Sequence, residues 1–231
     1  MIEANLVLLR HGESMWNKKN LFTGWVDVPL SQGGIDEAIN AGKELENFCF
    51  DSIYCSTLVR SLETAMLCMA QNLHSRTPVI QHPSDQKLID WGKIYSEKMN
   101  QDSIPVWLDS ALNERYYGHL QGQNKDEARA KFGADQVQIW RRSFDIPPPS
   151  GEALLNTSER SIPFFEERIA SDLQMGKRVL VVAHGNSLRS IIMKLDQLTP
   201  EQILKFELAT GRPRYYSFTE KSGFKNLPYS E

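Results

Sequence analysis

The sequence contains few cysteines and no long apolar run. Its three cysteines, Cys49, Cys55 and Cys68, form no C-x-x-C pair. This argues against a disulfide framework and favours reduced thiols that pack as small hydrophobes. No segment reaches the roughly 18 consecutive apolar residues of a membrane-spanning helix. The N-terminus lacks the basic region and small-residue cleavage site of a signal peptide, so we expect a cytoplasmic protein without a membrane partner.

The sequence also lacks an excess of charge of one sign, because 26 basic and 29 acidic residues leave a net charge of −3. Such a balance provides no overall basic field, so we expect no nucleic-acid partner, although a local anion pocket remains compatible with it. No His-x-x-Glu-His or paired-cysteine pattern is present, so we expect no metal ion.

What the chain does contain is an ordinary globular composition, with 41% hydrophobic and 24% charged residues among 231. A chain of this length can bury about 70% of its surface in one core. We therefore predict one domain over residues 1–231. Residues 74–106, which include Pro78, Pro83 and Pro105, are predicted to form an irregular insertion, and residues 219–231 a tail.

Periodicity predicts an α/β fold. Leu6–Leu9 and Arg178–Ala183 are continuous apolar runs of the kind that form parallel strands buried on both faces, and residues 51–55 favour another strand. Three stripes of apolar residues at helical spacing lie between these runs. They consist of Ile35 to Leu45, capped by Ser31; Leu58 to Leu73; and Leu155, Ser158, Ile162, Phe165 and Ile169, with a kink expected at Pro163. The alternation predicts a mainly parallel sheet with helices on both faces.

Two strands are each followed by histidine and glycine, at His11 and at His184. Ligands of open α/β sheets bind at the carboxyl ends of the strands, where a helix N-terminus favours anions. Arg10 adds a guanidinium suited to phosphate oxygens. Either histidine alone could be a surface residue beside a helix cap. Together they predict a phosphoryl site where one imidazole attacks and the other, protonated, neutralises charge.

Two further residues are placed to join this site. Arg60 follows the strand at residues 51–55 and lies in the first turn of the next predicted helix. Glu114 stands beside Arg115 in an aromatic setting and is a candidate general acid and base. Taken singly, Arg60 could be an ordinary solvated arginine, and Glu114 could belong to a structural ion pair.

Longer motifs identify a family. The runs Arg10–Asn17 and Asn20–Ser31, the second containing Phe-Thr-Gly-Trp, resemble the N-terminal motifs of the cofactor-dependent phosphoglycerate mutases of the histidine phosphatase superfamily. Residues 112–122, 140–142 and 183–190 are similar to further motifs of that family. The resemblance extends from about residue 4 to about residue 218. It implies the phosphoglycerate mutase-like version of the α/β fold.

The resemblance also implies roles for individual residues. His11 would be phosphorylated, Glu114 would be the acid and base, and Arg10, Arg60 and His184 would hold the transferring phosphoryl group. The substrate would be bound by Ser14, Asn17, Thr23, Gly24, Arg115, Tyr116, Tyr117, Lys125, Arg141, Arg142, Gly185 and Asn186. Tyr116 departs from the family pattern, in which many members have histidine.

The implied activity is the interconversion of 3-phosphoglycerate and 2-phosphoglycerate in glycolysis and gluconeogenesis, primed by 2,3-bisphosphoglycerate and without a metal. A phosphatase of the same superfamily is the nearest alternative, and Phe22–Trp25 with the Arg141–Arg142 pair argues against it. A non-catalytic phospho-ligand module is a third, although His11 and Glu114 are both present. The oligomeric state stays open, with a homodimer as one candidate.

The tail allows two interpretations. In one, Phe224, Leu227 and Tyr229 dock over the loaded site and exclude water during transfer. In the other, the tail is a frayed terminus without a role.

Overall fold

The computed structural model describes residues 4–227, which form a seven-stranded sheet with helices on both faces. The strands are β1 Leu6–Arg10, β2 Ser52–Cys55, β3 Thr77–Ile80, β4 Ser103–Leu108, β5 Val179–Ala183, β6 Pro213–Thr219 and β7 Gly223–Leu227. The helices are α1 Met15–Lys18, α2 Gln32–Glu44, α3 Val59–Met69, α4 Gln86–Trp91, α5 Glu97–Gln101, α6 Lys125–Phe132, α7 Ala134–Arg142, α8 Leu154–Phe164, α9 Ala170–Gln174, α10 Gly185–Leu195 and α11 Pro200–Lys205. Short 3-10 turns at Ser110–Leu112 and Gly118–Leu120 and a π-helical turn at Phe165–Ile169 complete the elements.

The strand order is β3-β4-β2-β5-β1-β6-β7, with β1 to β5 parallel and β6 and β7 antiparallel. The register pairs Arg10 with Ala183, and Cys55 with Val182. The carboxyl ends of β1, β5 and β2 therefore meet at one edge of the sheet. The predicted fold class, a mainly parallel sheet covered on both sides, is confirmed.

The two faces of β1 bury alternate residues in two separate cores. Leu6 and Leu8 pack toward α8, the π-helical turn and α10, whereas Val7 and Leu9 pack toward α2 and α3. All four side chains are completely buried. This explains why the strand is a continuous apolar run, since neither face meets water. No helix within residues 4–227 has the length and apolar character to cross a bilayer.

The predicted helices are present, with one error of phase. Ser31 caps α2, and its hydroxyl accepts a hydrogen bond from the Gly34 amide at 3.1 Å. At the start of α8 the buried leucine is Leu154, whereas the predicted Leu155 is exposed, so the predicted stripe is wrong by one position there. Adjacent leucines fit either phase, and tertiary packing selects between them. Pro163 lies near the end of α8, and the π-helical turn follows it at once.

The prediction of irregular structure over residues 74–106 is wrong for much of that segment, which contains β3, α4, α5 and the first residues of β4. Pro78 lies on β3 at the edge of the sheet, where a missing amide proton costs little. Pro105 lies inside β4, and the next residue of that strand, Val106, pairs with Ile53 of β2. Pairing within the sheet therefore overrides the local effect of the prolines.

The predicted docking of the tail over the site is wrong for Phe224 and Leu227. These residues belong to β7, which pairs with β6, and Phe224 packs against Phe218 and Phe165 at ring-centroid distances of 4.6 and 5.5 Å. Leu227 packs against the core on the side of α2 and α3. An edge strand with an apolar face is held by the sheet and is not free to move over a ligand. Tyr229 lies outside the described residues.

Candidate active site

A polar cavity of about 190 Å³ opens at the carboxyl ends of β1, β5 and β2. Its walls come from the end of β1 and the residue after it, from α1 and the loop after it, and from the loop between the two 3-10 turns. The first turns of α3 and α6, the end of α7, the first half of α10 and the loop after α11 complete them. The lining residues are Arg10, His11, Asn17, Leu21, Phe22, Thr23, Gly24, Arg60, Glu114, Tyr117, Lys125, Arg141, Arg142, Gly185, Asn186, Arg189 and Glu207.

His11 and His184 lie side by side at the base of this region, with ring centroids 4.8 Å apart. The parallel register brings them together, because each histidine directly follows one of two adjacent strands. Both are buried. Burial, followed by the charge of Arg60, lowers the pKa of each imidazole well below its usual value. Both rings are therefore neutral at pH 7 with only the protein's own charges around them.

Without an anion in the site, burial holds the pKa of His184 well below its usual value, so a protonated His184 during transfer stays a prediction. Burial disfavours the cation, and Arg60, His11 and Arg10 add electrostatic repulsion. The sequence could not reveal this, because it depends on how completely the folded chain removes water from the ring. An anion bound between the arginines would offset their repulsion and raise the pKa of His184.

The hydrogen bonds of His11 select one tautomer. Nδ1 lies 2.6 Å from the carbonyl oxygen of Gly12, and a carbonyl can only accept, so Nδ1 carries the proton. Nε2 therefore keeps its lone pair and can act as a nucleophile. Gly12 is required here, because a Cβ at this position would lie 2.2 Å from the carbonyl oxygen of Gly34.

The ring of His184 is held by Ser56. Its Nε2 lies 2.6 Å from the Ser56 hydroxyl, which also accepts a hydrogen bond from the Leu58 amide at 3.2 Å. Nδ1 of His184 is buried and has no hydrogen-bond partner among the described residues. This nitrogen is thus available to an oxygen of a bound group.

The buried Arg60 and the partly buried Arg10 lie near His11. We call the part of the cavity around these three residues its phosphoryl end, because the sequence predicts a phosphoryl group there. Arg60 is 1% exposed and donates to the carbonyl oxygens of Gly24 at 2.8 Å and Val26 at 3.0 Å. Burial lowers its pKa to about 10, which leaves it protonated at neutral pH. Arg10 donates to the carbonyl oxygen of Leu208 at 2.6 Å. The Nε atoms of both arginines are buried without a partner in the described chain, and such donors favour binding of an anion.

Glu114 lies at the edge of the phosphoryl end. Its Oε1 accepts from the Arg115 amide at 2.7 Å, and from the amide and Nδ2 of Asn186 at 3.2 and 2.8 Å. Burial opposes ionisation, but these hydrogen bonds and the charges of Arg10 and Arg115 outweigh it, so the pKa of Glu114 is lowered. The carboxylate is ionised at neutral pH and can accept a proton.

The outer part of the cavity carries a second set of cations. Lys125, Arg141, Arg142 and Arg189 all reach it. Burial lowers the pKa of Lys125 to about 8, with Arg141 and Arg10 adding repulsion. Four cations in a confined space repel one another unless an anionic group lies between them. The cavity thus carries cations at two places, one beside His11 and one in its outer part. We call the second the outer anion position, and in the protein by itself the Glu207 carboxylate lies there against Arg142 and Arg189.

Most of the predicted site residues line the cavity, and the structure places four of them behind or outside its wall. His184 is completely buried against His11. Ser14 is also completely buried and caps α1, accepting from the Asn17 amide at 3.1 Å. Arg115 is buried and donates to the carbonyl oxygen of Arg141 at 3.1 Å, so it supports α7 from behind. Tyr116 points away and is 38% exposed. Direct contacts of these side chains with substrate stay predictions.

Sequence reasoning missed Arg189, Glu207, Leu21 and Phe22, which line the cavity. Arg189 could have been found, because it lies four residues after Gly185 and so on the same face of α10. No local signal marks Glu207. Among residues 4–227, no group of three or more His, Cys, Asp or Glu side chains is placed to hold a metal ion.

A family model described as histidine phosphatase superfamily (branch 1) matches residues 6–93 and 92–225. A 2,3-bisphosphoglycerate-dependent phosphoglycerate mutase of Protochlamydia amoebophila is 53% identical over 222 residues, which are 96% of this chain and 98% of that protein. The 2,3-bisphosphoglycerate-dependent phosphoglycerate mutase 1 of Arabidopsis thaliana is 50% identical over 218 residues, 94% of this chain and 65% of that protein.

Among solved structures, Bacillus stearothermophilus YhfR superposes with a TM-score of 0.74 at 23% identity, covering 96% of this chain and 94% of that chain. A likeness at this identity shows the fold alone. It agrees with the seven-stranded α/β architecture described above.

Proposed function

Because the chain belongs to the histidine phosphatase superfamily (branch 1), we propose that its two-ended cationic cavity performs phosphoryl transfer through His11. The reaction is the interconversion of 3-phosphoglycerate and 2-phosphoglycerate, primed by 2,3-bisphosphoglycerate. Relatives named 2,3-bisphosphoglycerate-dependent phosphoglycerate mutase are identical to this chain at about half of the residues over almost its whole length. The observation that carries the proposal is the unprotonated Nε2 of the buried His11, which shares its cavity with the guanidinium groups of Arg10 and Arg60 and the carboxylate of Glu114.

Priming forms a bond between Nε2 of His11 and a phosphorus of 2,3-bisphosphoglycerate, while the bond from that phosphorus to the substrate oxygen breaks. The ionised Glu114 first takes up a proton from solvent, and its carboxyl group then gives that proton to the departing oxygen. In the opposite direction a hydroxyl oxygen of the monophosphate attacks the phosphorus. The bond to Nε2 then breaks, its electron pair returns to the ring, and Glu114 accepts the hydroxyl proton.

Charge stabilisation falls to Arg10 and Arg60. Their guanidinium groups are fixed by the carbonyl oxygens of Leu208, Gly24 and Val26, so they need little reorganisation during transfer. Phosphoryl transfer depends mostly on positioning and on opposing the charge of the equatorial oxygens. The available nitrogen of His184 would contribute a further contact to these oxygens.

The two ends of the cavity account for the change of isomer. A bisphosphate has two phosphates, and either can face His11 while the other end lies among Lys125, Arg141 and Arg142. The bisphosphate turns over between the two transfers, so the second transfer gives His11 the phosphate that the substrate brought. The phosphate donated by His11 stays behind, and the product is the other isomer. A simple phosphatase needs only the first position, so the outer cations favour the mutase reaction.

The remaining expectations belong to the same proposal. The reaction places the protein in glycolysis and gluconeogenesis in the cytoplasm, with phosphoglycerates as its small-molecule partners and 2,3-bisphosphoglycerate as primer without a metal. One domain over residues 1–231 and a homodimeric state stay predictions.

The decisive experiment couples 2-phosphoglycerate formation to enolase, with and without added 2,3-bisphosphoglycerate. We expect primer-dependent turnover, with acid-labile phosphate located on His11 by mass spectrometry. His11→Gln should abolish both, whereas His119→Gln, at an exposed histidine, serves as the matched control. Release of inorganic phosphate without isomerisation would instead establish a phosphatase, and phosphate on His184 would contradict the assignment of the nucleophile.

A further inference from the structure

We propose that Glu207 is a displaceable carboxylate that occupies the outer anion position and sets how strongly this position discriminates between anions of different charge. The identity of the natural ligand rests on the proposed function. The competition itself concerns any anion that reaches Arg142 and Arg189.

The geometry places the three side chains together. Arg142 Nη2 lies 2.6 Å from Oε1 of Glu207, and Arg189 Nη2 lies 3.6 Å from Oε2. All three residues line the cavity. Glu207 therefore holds its carboxylate against two of the cations that a ligand's outer anionic group would meet.

The exposure of the partners is unequal, which makes the carboxylate the partner that can leave. The side chain of Glu207 is 71% exposed, compared with 26% for Arg142 and 12% for Arg189. A largely exposed carboxylate can turn into water at little cost. A buried guanidinium cannot, since moving it would disturb the packing around it.

The backbone beside Glu207 is fixed, so the carboxylate returns to the same place. The carbonyl oxygen of Leu208 accepts from Arg10, and the amide of Gly211 donates to the carbonyl oxygen of Arg10 at 3.0 Å. The segment that carries Glu207 is thus tied to a residue of the phosphoryl end. Its side chain alone is free to exchange with an incoming anion.

The two arginines have donors that Glu207 does not satisfy. Nη1 of Arg142 and Nε of Arg189 are buried without a partner within residues 4–227. A phosphate, with more acceptor oxygens than a carboxylate, can use such donors. The lining therefore accommodates a larger anion than the one Glu207 supplies.

The charge balance gives Glu207 its effect on selectivity. A ligand must displace or tolerate the negative charge of Glu207, and the repulsion grows with the ligand's own charge. Glu207 should therefore weaken binding of 2,3-bisphosphoglycerate more than binding of a monophosphate. By weakening the binding of 2,3-bisphosphoglycerate, Glu207 would allow this intermediate to turn over within the cavity.

The test compares Glu207→Gln with Glu201→Gln, which removes the same charge from exposed α11 outside the cavity. Calorimetry would measure binding of inorganic phosphate and of 2,3-bisphosphoglycerate at low and high salt. For Glu207→Gln we expect about two- to fivefold tighter binding of phosphate, as befits a partly exposed ion pair. We expect a larger gain for 2,3-bisphosphoglycerate, a lower KM for 3-phosphoglycerate, and smaller differences at high salt.

Unchanged phosphate binding by Glu207→Gln would overturn the inference. Weaker binding would also overturn it, and would assign Glu207 a role in orienting the arginines. An equal gain in Glu201→Gln would also overturn it, because general surface charge would then explain the effect. A wild-type protein without mutase activity would refute the proposed function only, since the phosphate titration tests Glu207 independently. Glu207→Ala provides a second variant, and thermal unfolding of each variant verifies that it is folded.

Discussion

Arg160 offers the sharpest test of how the fold positions the proposed acid and base. It lies on α8, outside the cavity, and its guanidinium binds the loop that carries Glu114. Nη1 donates to the carbonyl oxygens of Ser110, Ala111 and Asn113 at 3.1, 2.9 and 3.0 Å. Nη2 donates to the carbonyl oxygen of Glu114 at 3.0 Å. We predict that Arg160→Ala lowers both stability and kcat.

The size of the effect follows from what Arg160 leaves behind. Its side chain also forms two hydrogen bonds with Glu152, at 3.1 and 2.9 Å, and both side chains are about one-fifth exposed. Breaking one partner of a buried ion pair costs about 3–5 kcal/mol, which we reduce to about 2–4 kcal/mol for this exposure. At about 2–4 °C per kcal/mol, the melting temperature should fall by about 4–16 °C.

The catalytic effect has a different origin. A displacement of about 1 Å at a reacting group can cost about 100-fold in rate. Released from Arg160, the loop no longer holds Glu114 at a fixed distance from the phosphoryl end. We expect kcat to fall about 10- to 100-fold with little change in KM, because the substitution leaves in place the cationic side chains that bind the substrate.

The assay measures kcat and KM at a temperature well below the melting temperature of every variant. Arg160→Lys is the matched control, since it keeps the charge but lacks the planar fork that reaches several carbonyl oxygens. It should recover part of the stability and less of the kcat. If Arg160→Ala keeps kcat within about threefold of wild type, the loop is positioned by other contacts and the reasoning fails.

Four further outcomes are expected. Glu114→Gln should reduce kcat by about 10²- to 10⁴-fold in the enolase-coupled assay, and a change of only a few-fold would make Glu114 a structural residue. Because the folded pKa of His11 is depressed, its nucleophilic form persists below pH 6.5, so kcat/KM should fall only at lower pH; half-loss at or above pH 6.5 would contradict this. EDTA should leave turnover unchanged, because Arg10 and Arg60 oppose the phosphoryl charge; loss restored by Mn²⁺ would refute it. Phe224→Ala should lower the free energy of unfolding by about 2 kcal/mol in denaturant titrations without changing the ratio of hydrolysis to mutase turnover, and a changed ratio would restore the tail to the site.

The pH dependence of stability has the same origin as that of activity. Between the depressed folded pKa values of His11 and His184 and about 6.5, the unfolded chain binds more protons than the folded protein. The free energy of unfolding therefore falls as the pH drops through this window, by up to about 1.4 kcal/mol per pH unit for each histidine. Above pH 6.5 both histidines are neutral in the folded and the unfolded protein, so neither lowers the free energy of unfolding there.

The sequence by itself determined the features that are encoded locally. Leu6–Leu9 and Val179–Ala183 are continuous apolar runs, which predict inner strands, and His11 and His184 follow them in the sequence. Parallel pairing then brings the two histidines to one edge without any further information. The motif around Arg10–Asn17 identified the family for the same reason, since its residues are contiguous.

The tertiary structure decided whatever depends on distant partners. Residues 74–106 have unfavourable local propensity, yet β3 and β4 form because β2 offers β4 a partner strand. One interpretation of the tail placed Phe224 and Leu227 over the site, whereas in the structure both lie on β7, which pairs with β6.

Within the site, the same division applies. The pattern of a strand followed by histidine and glycine identified His184, but its neutral charge depends on complete burial beside Arg60. Glu207 and Arg160 gave no signal, because a lone charged residue on a helix or loop is ordinary. Glu207 meets Arg142, and Arg160 meets the carbonyl oxygen of Glu114, across more than 40 residues of sequence, and only the folded chain brings these partners within hydrogen-bond distance.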